Sequence, residues 1–276
     1  MSKVKFATGR HPALLSVCVL LLLPVLACAL LGAWIAPHNP YLINDLGTLQ
    51  GASAAHPLGT DEFGRDILSR LIIGIRPTII VAFGATALSV LGGIPLGLIA
   101  GYAGRLPEFL IMRSCDVLLS FPPILLALLA VGFWKSGVPS LTVVIGILYI
   151  PHFARITHAA TLQMVHQEFV EAERSLGARP IRLLSRIILP NILSPIVVQA
   201  TLVVAAAILL ESGLSFLGLG IVPPEPSWGQ MIGSARGYLE RDPMYLIWPS
   251  LFLAITVLTI NLIGDALRDM LDPRLR

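Results

Sequence analysis

The sequence offers few side chains whose type and spacing could carry out chemistry. It contains no Gly-x-x-x-x-Gly-Lys-Ser/Thr loop for nucleotide phosphates, no His-Glu-x-x-His zinc motif and no Gly-x-Ser-x-Gly nucleophile. His152, His158 and His166 are separated by six and eight residues, which does not place them on one helical face as metal ligands require. We therefore predict no catalytic residue and no metal site, and a role that depends on binding and movement.

Composition indicates the scaffold that must position the remaining polar residues. Hydrophobic residues make up 55% of the chain, charged residues only 13%, and the mean hydropathy is +0.83. A soluble domain carries about 25% charged residues. The net charge of +3 is explained by unequal charge on the two sides of a bilayer, so no nucleic-acid partner is predicted. The prediction is an integral membrane protein surrounded by lipid.

Six uncharged runs have lengths near the roughly 20 residues that cross a hydrocarbon core. They are residues 13–36, 77–102, 117–134, 138–154, 187–210 and 244–264. Unpaired backbone polar groups are costly in lipid, so each run should be helical. We predict an all-α protein with six transmembrane helices, a cytoplasmic helical hairpin and an outer loop after the first helix. Prolines and glycines inside the runs are interpreted as packing positions and kinks.

Basic residues predict the orientation, because Lys and Arg near helix ends are mostly retained in the cytoplasm. With the N-terminus inside, thirteen of the nineteen lie in cytoplasmic segments. These are Lys3, Lys5, Arg10, Arg105, Arg113, Arg155, Arg174, Arg179, Arg182, Arg186, Arg268, Arg274 and Arg276. Both termini are predicted to be cytoplasmic.

The predicted divisions are residues 1–36 (N-terminus and first helix), 37–76 (extracytoplasmic segment) and 77–276 (helices two to six, with a hairpin near residues 160–190).

The first run admits a second interpretation, because Ala27-Cys28-Ala29 is similar to the site at which a signal peptide is cleaved. The apolar core of a signal peptide has about 7–15 residues, and this run is longer, so an uncleaved anchor is predicted. Cys18, Cys28 and Cys115 lie in or beside apolar runs without paired spacing, which predicts packing residues rather than disulfides or metal ligands.

The polar segment between the fourth and fifth runs has the pattern of two short amphipathic helices. Apolar residues recur at helical spacing in both halves: Val165, Phe169, Ala172 and Leu176, then Ile181, Leu184 and Ile188. Gly177 suits the position just after a helix, and Pro180 suits the first turn of the next one. From pattern alone, this hairpin either enters a groove on a partner protein or lies on the membrane surface.

The identities of these residues resemble the EAA loop of permease subunits in binding-protein-dependent ABC importers. That pattern is Glu-Ala-Ala, three residues, Gly, nine residues, Ile, one residue and Leu-Pro, and every spacing is present. The matching residues are Glu171, Ala172, Glu173, Gly177, Ile187, Leu189 and Pro190, with Glu173 standing where the family has alanine. The resemblance implies that the loop inserts into an ATPase subunit and transmits its closure to the membrane helices.

Residues 56–66, 214–220, 228–229 and 264–273 are similar to signatures of the dipeptide, oligopeptide and nickel permeases, specifically of their second permease subunit. The resemblance implies a second homologous permease, two ATPase subunits or domains, and an extracytoplasmic substrate-binding protein. ATP and Mg²⁺ would bind to the ATPases, and this chain would be neither an enzyme nor a cofactor carrier. The expected location is a bacterial or archaeal inner membrane. The expected substrates are di- or oligopeptides, with nickel chelates, glutathione and opines as alternatives.

The segment before the second run carries both signs of charge, in Asp61, Glu62, Arg65 and Asp66. Mixed charge suits a weak, reversible contact, so these residues are candidates for docking of a binding protein or for an outer gate, together with Trp228. The alternative is a solvated loop that covers the helix ends.

Glu211 follows an uncharged run, and an ionisable residue at a membrane helix is a candidate functional residue. It either lines the translocation path or pairs with a polar neighbour. A different class of function, a self-contained channel or secondary transporter, would show internal repeats or charged pairs at membrane depth. The sequence shows no such repeat.

Overall fold

The computed structural model describes residues 11–134 and 136–271, including their side chains except those of residues 11–19 and 21. The predictions that concern Lys3, Lys5, Arg10, Cys18, Arg274 and Arg276, and the end of the signature at residues 264–273, lie outside these described parts.

The all-α prediction is confirmed for the described residues, in which the only extended pairing is an isolated bridge between Thr60 and Asp66. The α-helices are α1 (His11–Ile35), α2 (Ile67–Tyr102), α3 (Arg105–Leu119), α4 (Pro123–Phe133), α5 (Val138–Val165), α6 (Glu168–Ser175), α7 (Pro180–Arg182), α8 (Leu189–Asn191), α9 (Leu193–Phe216), α10 (Trp228–Ala235) and α11 (Pro243–Leu271). A π-helix covers Leu183–Ile188, and 3₁₀ turns cover Asp45–Gly47 and Arg236–Tyr238.

Four of these helices, α2, α5, α9 and α11, are long and apolar enough to cross a membrane. α3 and α4 together form a fifth candidate span, with a bend of 88° between them. The structure therefore confirms four or five helices that are long and apolar enough to cross a membrane. α1, with 25 residues, stays a predicted sixth span.

α2 begins at Ile67, ten residues before the apolar run that predicts it. Asp66 is its N-cap, and the Asp66 side chain accepts a hydrogen bond from Ser69 N at 2.8 Å. Such a bond satisfies one of the free N–H groups at a helix start. Because Arg70 and Arg76 interrupt the otherwise apolar first turns, the uncharged run starts late and the predicted division between residues 76 and 77 falls inside a helix.

The run at residues 117–134, predicted as one helix, is broken in two. α3 ends at Leu119 and α4 starts at Pro123. Proline lacks a backbone N–H and disfavours helical conformation in the residue before it, so Pro122-Pro123 ends one helix and opens another. The prediction of a continuous third helix is wrong for this reason.

The fifth predicted run, residues 187–210, is displaced by six residues from the observed helix. α9 extends from Leu193 to Phe216, and the residues before it form the π-helix and α8. Glu211 therefore lies within the last turns of α9 rather than beyond its end.

α2 packs along α5 through small residues at four-residue intervals. These are Ser89, Gly93, Gly97 and Gly101. A Cβ placed on Gly97 would lie 2.5 Å from both the Ala154 carbonyl oxygen and Thr157 Cβ, and Ser89 Oγ donates to the Gly146 carbonyl at 2.7 Å. The two backbones are thus in contact, which small residues permit between membrane helices. This supports packing as the role of these glycines.

Candidate functional site: an exposed hairpin and the α1–α2 segment

The segment predicted to contact a partner folds as a hairpin, residues 167–191. α6 ends at Ser175, Gly177 has a φ of +80°, and Ala178 N donates to the Glu173 carbonyl at 3.1 Å. Many α-helices end in this way, with a glycine in the left-handed conformation and a hydrogen bond from the following residue back to the last turn. Pro180 then opens α7. The predicted turn and the start of the second helix are both confirmed.

The hairpin is fixed to the helix bundle by three fully buried side chains. Val170, Leu183 and Ile188 have no exposed surface and belong to the main hydrophobic core. The Arg174 guanidinium also lies 5.4 Å from the ring centroid of Tyr102, the last residue of α2. Burial of each aliphatic side chain stabilises the attachment by about 1.5–3 kcal/mol.

Three large apolar side chains of the hairpin are exposed to solvent. Phe169 is 46% exposed, Leu176 83% and Ile181 76%. We call these three residues the apolar tip. Large apolar side chains exposed on an anchored element are typical of a surface that binds another protein.

The second predicted stripe does not form one face of the hairpin. Ile181 is exposed, whereas Ile188 is buried. The cause is the π-helix, whose turn is wider than 3.6 residues, so that Leu189 N donates to the Leu184 carbonyl. Leu183 is buried and anchors the hairpin, although it does not belong to the apolar stripe predicted from helical spacing. Pro190 provides the one local signal, because it lacks the N–H that an α-helix would use there.

The residues predicted to couple to an ATPase lie along this hairpin. Glu171, Ala172, Gly177 and Pro190 are exposed, and Glu173, Ile187 and Leu189 are half-buried. A Cβ placed on Gly177 would have no atom within 4 Å. The surface around this glycine is therefore open to another protein.

The α1–α2 segment, residues 36–66, is held against the first turns of α2 by buried charges. Asp61 accepts hydrogen bonds from Arg65 Nε at 2.6 Å and Arg65 N at 2.9 Å. Arg70 Nε lies 3.3 Å from the same carboxylate. Arg70 is fully buried and donates to the Pro40 carbonyl at 3.1 Å and to Gln230 Oε1 at 3.2 Å.

Two aromatic side chains extend this attachment to α10 and α11. Trp228 Nε1 donates to the Leu71 carbonyl at 3.0 Å, and the Tyr245 hydroxyl donates to the Glu62 carboxylate. Trp228 and Tyr245 are both 1% exposed. The segment is therefore bound directly to α2 and α11, while Trp228 joins α10 to the first turns of α2.

The residues predicted to dock a binding protein are thus largely internal. Asp61, Arg65, Asp66 and Trp228 are buried, and a direct contact of these side chains with another protein stays a prediction. Phe63 is exposed and lies with Glu62 at a surface cavity of about 660 Å³. Sequence reasoning missed Arg70, although an arginine beside an apolar run is the same signal that marked Glu211.

Asp66 is held by several hydrogen bonds. Its carboxylate accepts from Ser69 N at 2.8 Å and Ser69 Oγ at 2.6 Å, and His56 Nδ1 lies 2.9 Å away. Burial by itself would raise the pKa of Asp66, but the hydrogen bonds to Ser69 and His56 outweigh burial and hold the pKa below its usual value.

Comparison with known proteins identifies the family to which this chain belongs. Residues 93–276, which include the whole hairpin, match the family described as binding-protein-dependent transport system inner membrane component. The chain belongs to this family. It is a permease subunit of an ABC importer, as the EAA-loop resemblance predicts.

Relatives extend the likeness over nearly the whole permease. It is 41% identical to the di/tripeptide transport system permease protein DppC of Pseudomonas aeruginosa, across 94% of this chain and 87% of the relative. It is 40% identical to the glutathione transport system permease protein GsiD of Pectobacterium atrosepticum, across 93% of this chain and 86% of the relative. The predicted subfamily is confirmed by these matches.

The permease also resembles a solved structure described as an inward-facing conformation of the MetNI methionine ABC transporter. The TM-score is 0.62, and the match covers 73% of this chain and 96% of the other at 21% identity. At this identity the likeness shows a shared fold.

Glu211 of the permease is fully buried inside the single chain. Its carboxyl group accepts hydrogen bonds from Ser215 Oγ at 2.7 Å and from Ser212 Oγ at 3.3 Å. Ser215 Oγ in turn accepts from Ile221 N at 3.0 Å. The glutamate therefore connects α9 to the loop that follows it. A role in lining the path stays a prediction.

The three histidines of α5 and its end do not share a site. The His152 ring lies beside Tyr149 with centroids 5.1 Å apart, His158 Nε2 lies 3.0 Å from Glu108, and His166 is exposed. Each has a separate environment.

Proposed function

We propose that this permease forms one half of a pathway that imports short peptides, alternating between inward-facing and outward-facing states while partner subunits hydrolyse ATP. The observation that carries the proposal is the hairpin, whose base is buried in the bundle while the apolar tip is exposed. A rigid element with an exposed apolar face suits insertion into a groove of another protein. That protein is an ATPase subunit, which also binds ATP and Mg²⁺. The other half of the pathway is a second, homologous permease.

The distribution of basic residues supports a cytoplasmic position for the hairpin. Arg174 contacts Tyr102 at the end of α2, so the hairpin lies beside the α2–α3 connection and Arg105. Arg179 and Arg182 add to the basic residues at this end, and an excess of arginine favours the cytoplasmic side. With α1, α2, the α3–α4 pair, α5, α9 and α11 as six spans, both termini are cytoplasmic.

The start of α2, and with it the α1–α2 segment, then faces outward. We assign the cavity beside Glu62 and Phe63 to contact with the substrate-binding protein. The buried Asp61, Arg65, Asp66 and Trp228 act by holding this outer surface or gate in shape. A preformed surface loses less conformational entropy on docking than a mobile loop would.

Short peptides are the proposed substrate because relatives at 41% and 40% identity are named for di/tripeptide and for glutathione, itself a tripeptide. Nickel chelates and opines are the alternatives within the family. Uptake of a labelled dipeptide, glutathione and a nickel chelate, by cells that express the complete importer, distinguishes among them.

The hairpin proposal is tested by co-purification in mild detergent with a C-terminal tag. We expect the wild-type permease to recover an ATPase and a second permease. The double variant Leu176→Asp/Ile181→Asp places two charges on the apolar tip and should lose the ATPase while keeping the second permease. Leu46→Asp is the matched control, because Leu46 is 95% exposed but lies in the α1–α2 segment.

Full retention of the ATPase and of transport by the double variant would contradict the proposed contact. Recovery of the wild-type chain alone, in several detergents, would instead favour a self-contained channel or secondary transporter.

A further inference from the structure

Three side chains with metal-binding atoms converge in the α1–α2 segment. His38, His56 and Asp66 each offer a ligand atom, and these atoms lie within 4.8 Å of one another. Two of the residues belong to the loop, and the third is the N-cap of α2. The cluster is remote from the hairpin and has no part in the proposed coupling.

The geometry of the cluster is compact. His56 Nδ1 lies 2.9 Å from Asp66 Oδ1, and His38 Nδ1 lies 3.8 Å from Asp66 Oδ2. The two imidazole rings have centroids 4.8 Å apart. In a tetrahedral Zn²⁺ site with bonds of 2.0–2.1 Å, neighbouring ligand atoms are about 3.3 Å apart. The two nitrogens approach different oxygens of the Asp66 carboxylate, and the three ligand atoms lie within 4.8 Å of one another. Side-chain movements of at most about 1.5 Å therefore bring these atoms to ligand spacing.

Hydrogen bonds around the cluster hold the carboxylate and one loop in place. Ser69 donates to Asp66 Oδ2 through both its backbone N and its hydroxyl, and His38 N donates to Ser69 Oγ at 2.9 Å. Groups that orient ligands in this way increase the affinity of metal sites. The side chain of Asp66 is fully buried, whereas those of His38 and His56 are 41% and 23% exposed, so an ion can enter from solvent.

We propose that His38, His56 and Asp66 bind a divalent transition-metal ion of the Zn²⁺ type, with water completing the coordination. Two imidazole nitrogens and one carboxylate oxygen match the preferences of this ion. When the ion binds, the His56 proton resides on Nε2, and Nδ1 directs its lone pair at the metal. This inference differs from the sequence-based prediction of no metal site. The ion would link two points of the α1–α2 segment to the start of α2 and so stabilise the outer surface.

The test uses the purified importer complex, carrying a tag without histidines and stripped with a chelator. Calorimetric titration with Zn²⁺ and absorption spectra with Co²⁺ measure binding. We expect a saturable site with the visible bands of low-coordinate Co²⁺. His38→Gln and His56→Gln should each weaken Zn²⁺ binding at least about tenfold, the lower end of what the loss of a supporting residue causes.

His166→Gln is the matched control, because it removes an exposed histidine from a distant part of the same chain. This variant should bind Zn²⁺ as the wild type does. Binding by His38→Gln with unchanged stoichiometry and affinity would overturn the proposal, as would the absence of binding to the wild type at micromolar Zn²⁺. His38 is the preferred position for substitution because its exposed side chain carries little of the packing.

Discussion

Arg70 Nε lies 3.3 Å from the carboxylate of Asp61, and both side chains are almost completely excluded from solvent. Asp61 also forms an ion pair with Arg65, so one carboxylate pairs with two buried guanidinium groups. Arg70 extends the contact to Gln230 in α10. The charges of the α1–α2 segment thus form an internal attachment between elements far apart in sequence.

Asp61→Asn should destabilise the permease strongly. The amide keeps the shape of the carboxylate but leaves Arg70 without the carboxylate it pairs with and Arg65 with only Glu62, 3.5 Å away. Breaking a buried pair costs about 3–5 kcal/mol. Thermal unfolding followed by tryptophan fluorescence in detergent measures the loss. Arg113→Ala is the control, since Arg113 has a side chain 68% exposed and pairs with Asp116 at the surface, where a pair contributes at most about 1 kcal/mol. Equal unfolding temperatures for the two variants would contradict a structural role for Asp61.

Gly177→Val should impair transport without preventing insertion or assembly. At a φ of +80° a side chain is strained, although no atom would collide with a new Cβ. The left-handed conformation costs about 1–2 kcal/mol for a residue other than glycine. If that energy distorts the coupling hairpin, transport should fall by about tenfold, which corresponds to 1.4 kcal/mol. Peptide uptake, normalised to permease in the membrane, is the measurement.

Substitutions at two other glycines serve as controls, which distinguish the effect of backbone strain from the effect of a position in the hairpin. Gly104 has a φ of +90° and equally open space, but lies outside the hairpin, between α2 and α3. Gly51 has open space and no positive φ. Gly104→Val and Gly51→Val should therefore transport within about twofold of wild type. A Gly177→Val permease that transports at the wild-type rate would count against the coupling role.

The hairpin was predictable because its shape depends on neighbouring residues. Gly177 and Pro180 determine where one helix ends and the next begins, and both act through their own backbone conformation. The apolar tip followed from the same local pattern. The π-helix was not predictable from the local pattern, because the burial of Leu183 and Ile188 depends on the hydrophobic core against which they pack.

The α1–α2 segment was not predictable to the same degree. A sequence window shows that Asp61 and Arg65 are charged, and charge alone indicates an exposed surface. Burial depends on Arg70, Gln230 and Tyr245, which are brought there by the fold.

The positions of helix ends were only partly predictable. The N-cap Asp66 and the pair Pro122-Pro123 can be read in the sequence, but a prediction from hydropathy alone does not include N-caps or helix breaks.

Gly97→Ala should destabilise the α2–α5 pair. A Cβ at this position would lie 2.5 Å from the backbone oxygen of Ala154, and backbone cannot move aside as a side chain can. Overpacking of this kind costs about 1–3 kcal/mol. Gly92→Ala is a matched control five residues earlier in α2, because its Cβ would meet only the flexible side chain of Ile150, at 2.9 Å from Cδ1 and 3.1 Å from Cγ1. Unfolding temperature and yield in detergent should fall for Gly97→Ala and change little for Gly92→Ala; the reverse order would contradict this packing.

Glu211→Gln should preserve both folding and transport within about twofold, whereas Glu211→Leu should lose both. The amide oxygen of glutamine can still accept the hydrogen bond from Ser215, but leucine leaves that buried hydroxyl without its acceptor. An unsatisfied buried polar group costs about 1–3 kcal/mol. Unfolding temperature and peptide uptake are measured together. The control is Glu240→Leu, which removes an exposed glutamate and should alter neither quantity.

The two Glu211 substitutions separate a structural role from a role in the translocation path. A path role depends on the charge of the carboxylate, and glutamine removes that charge while keeping the hydrogen bond. If Glu211→Gln unfolds at the wild-type temperature but no longer transports peptide, the structural interpretation is wrong and the charge acts on the substrate. If it transports normally, the full burial of Glu211 and its bonds to Ser212 and Ser215 account for the residue as part of the α9 terminus.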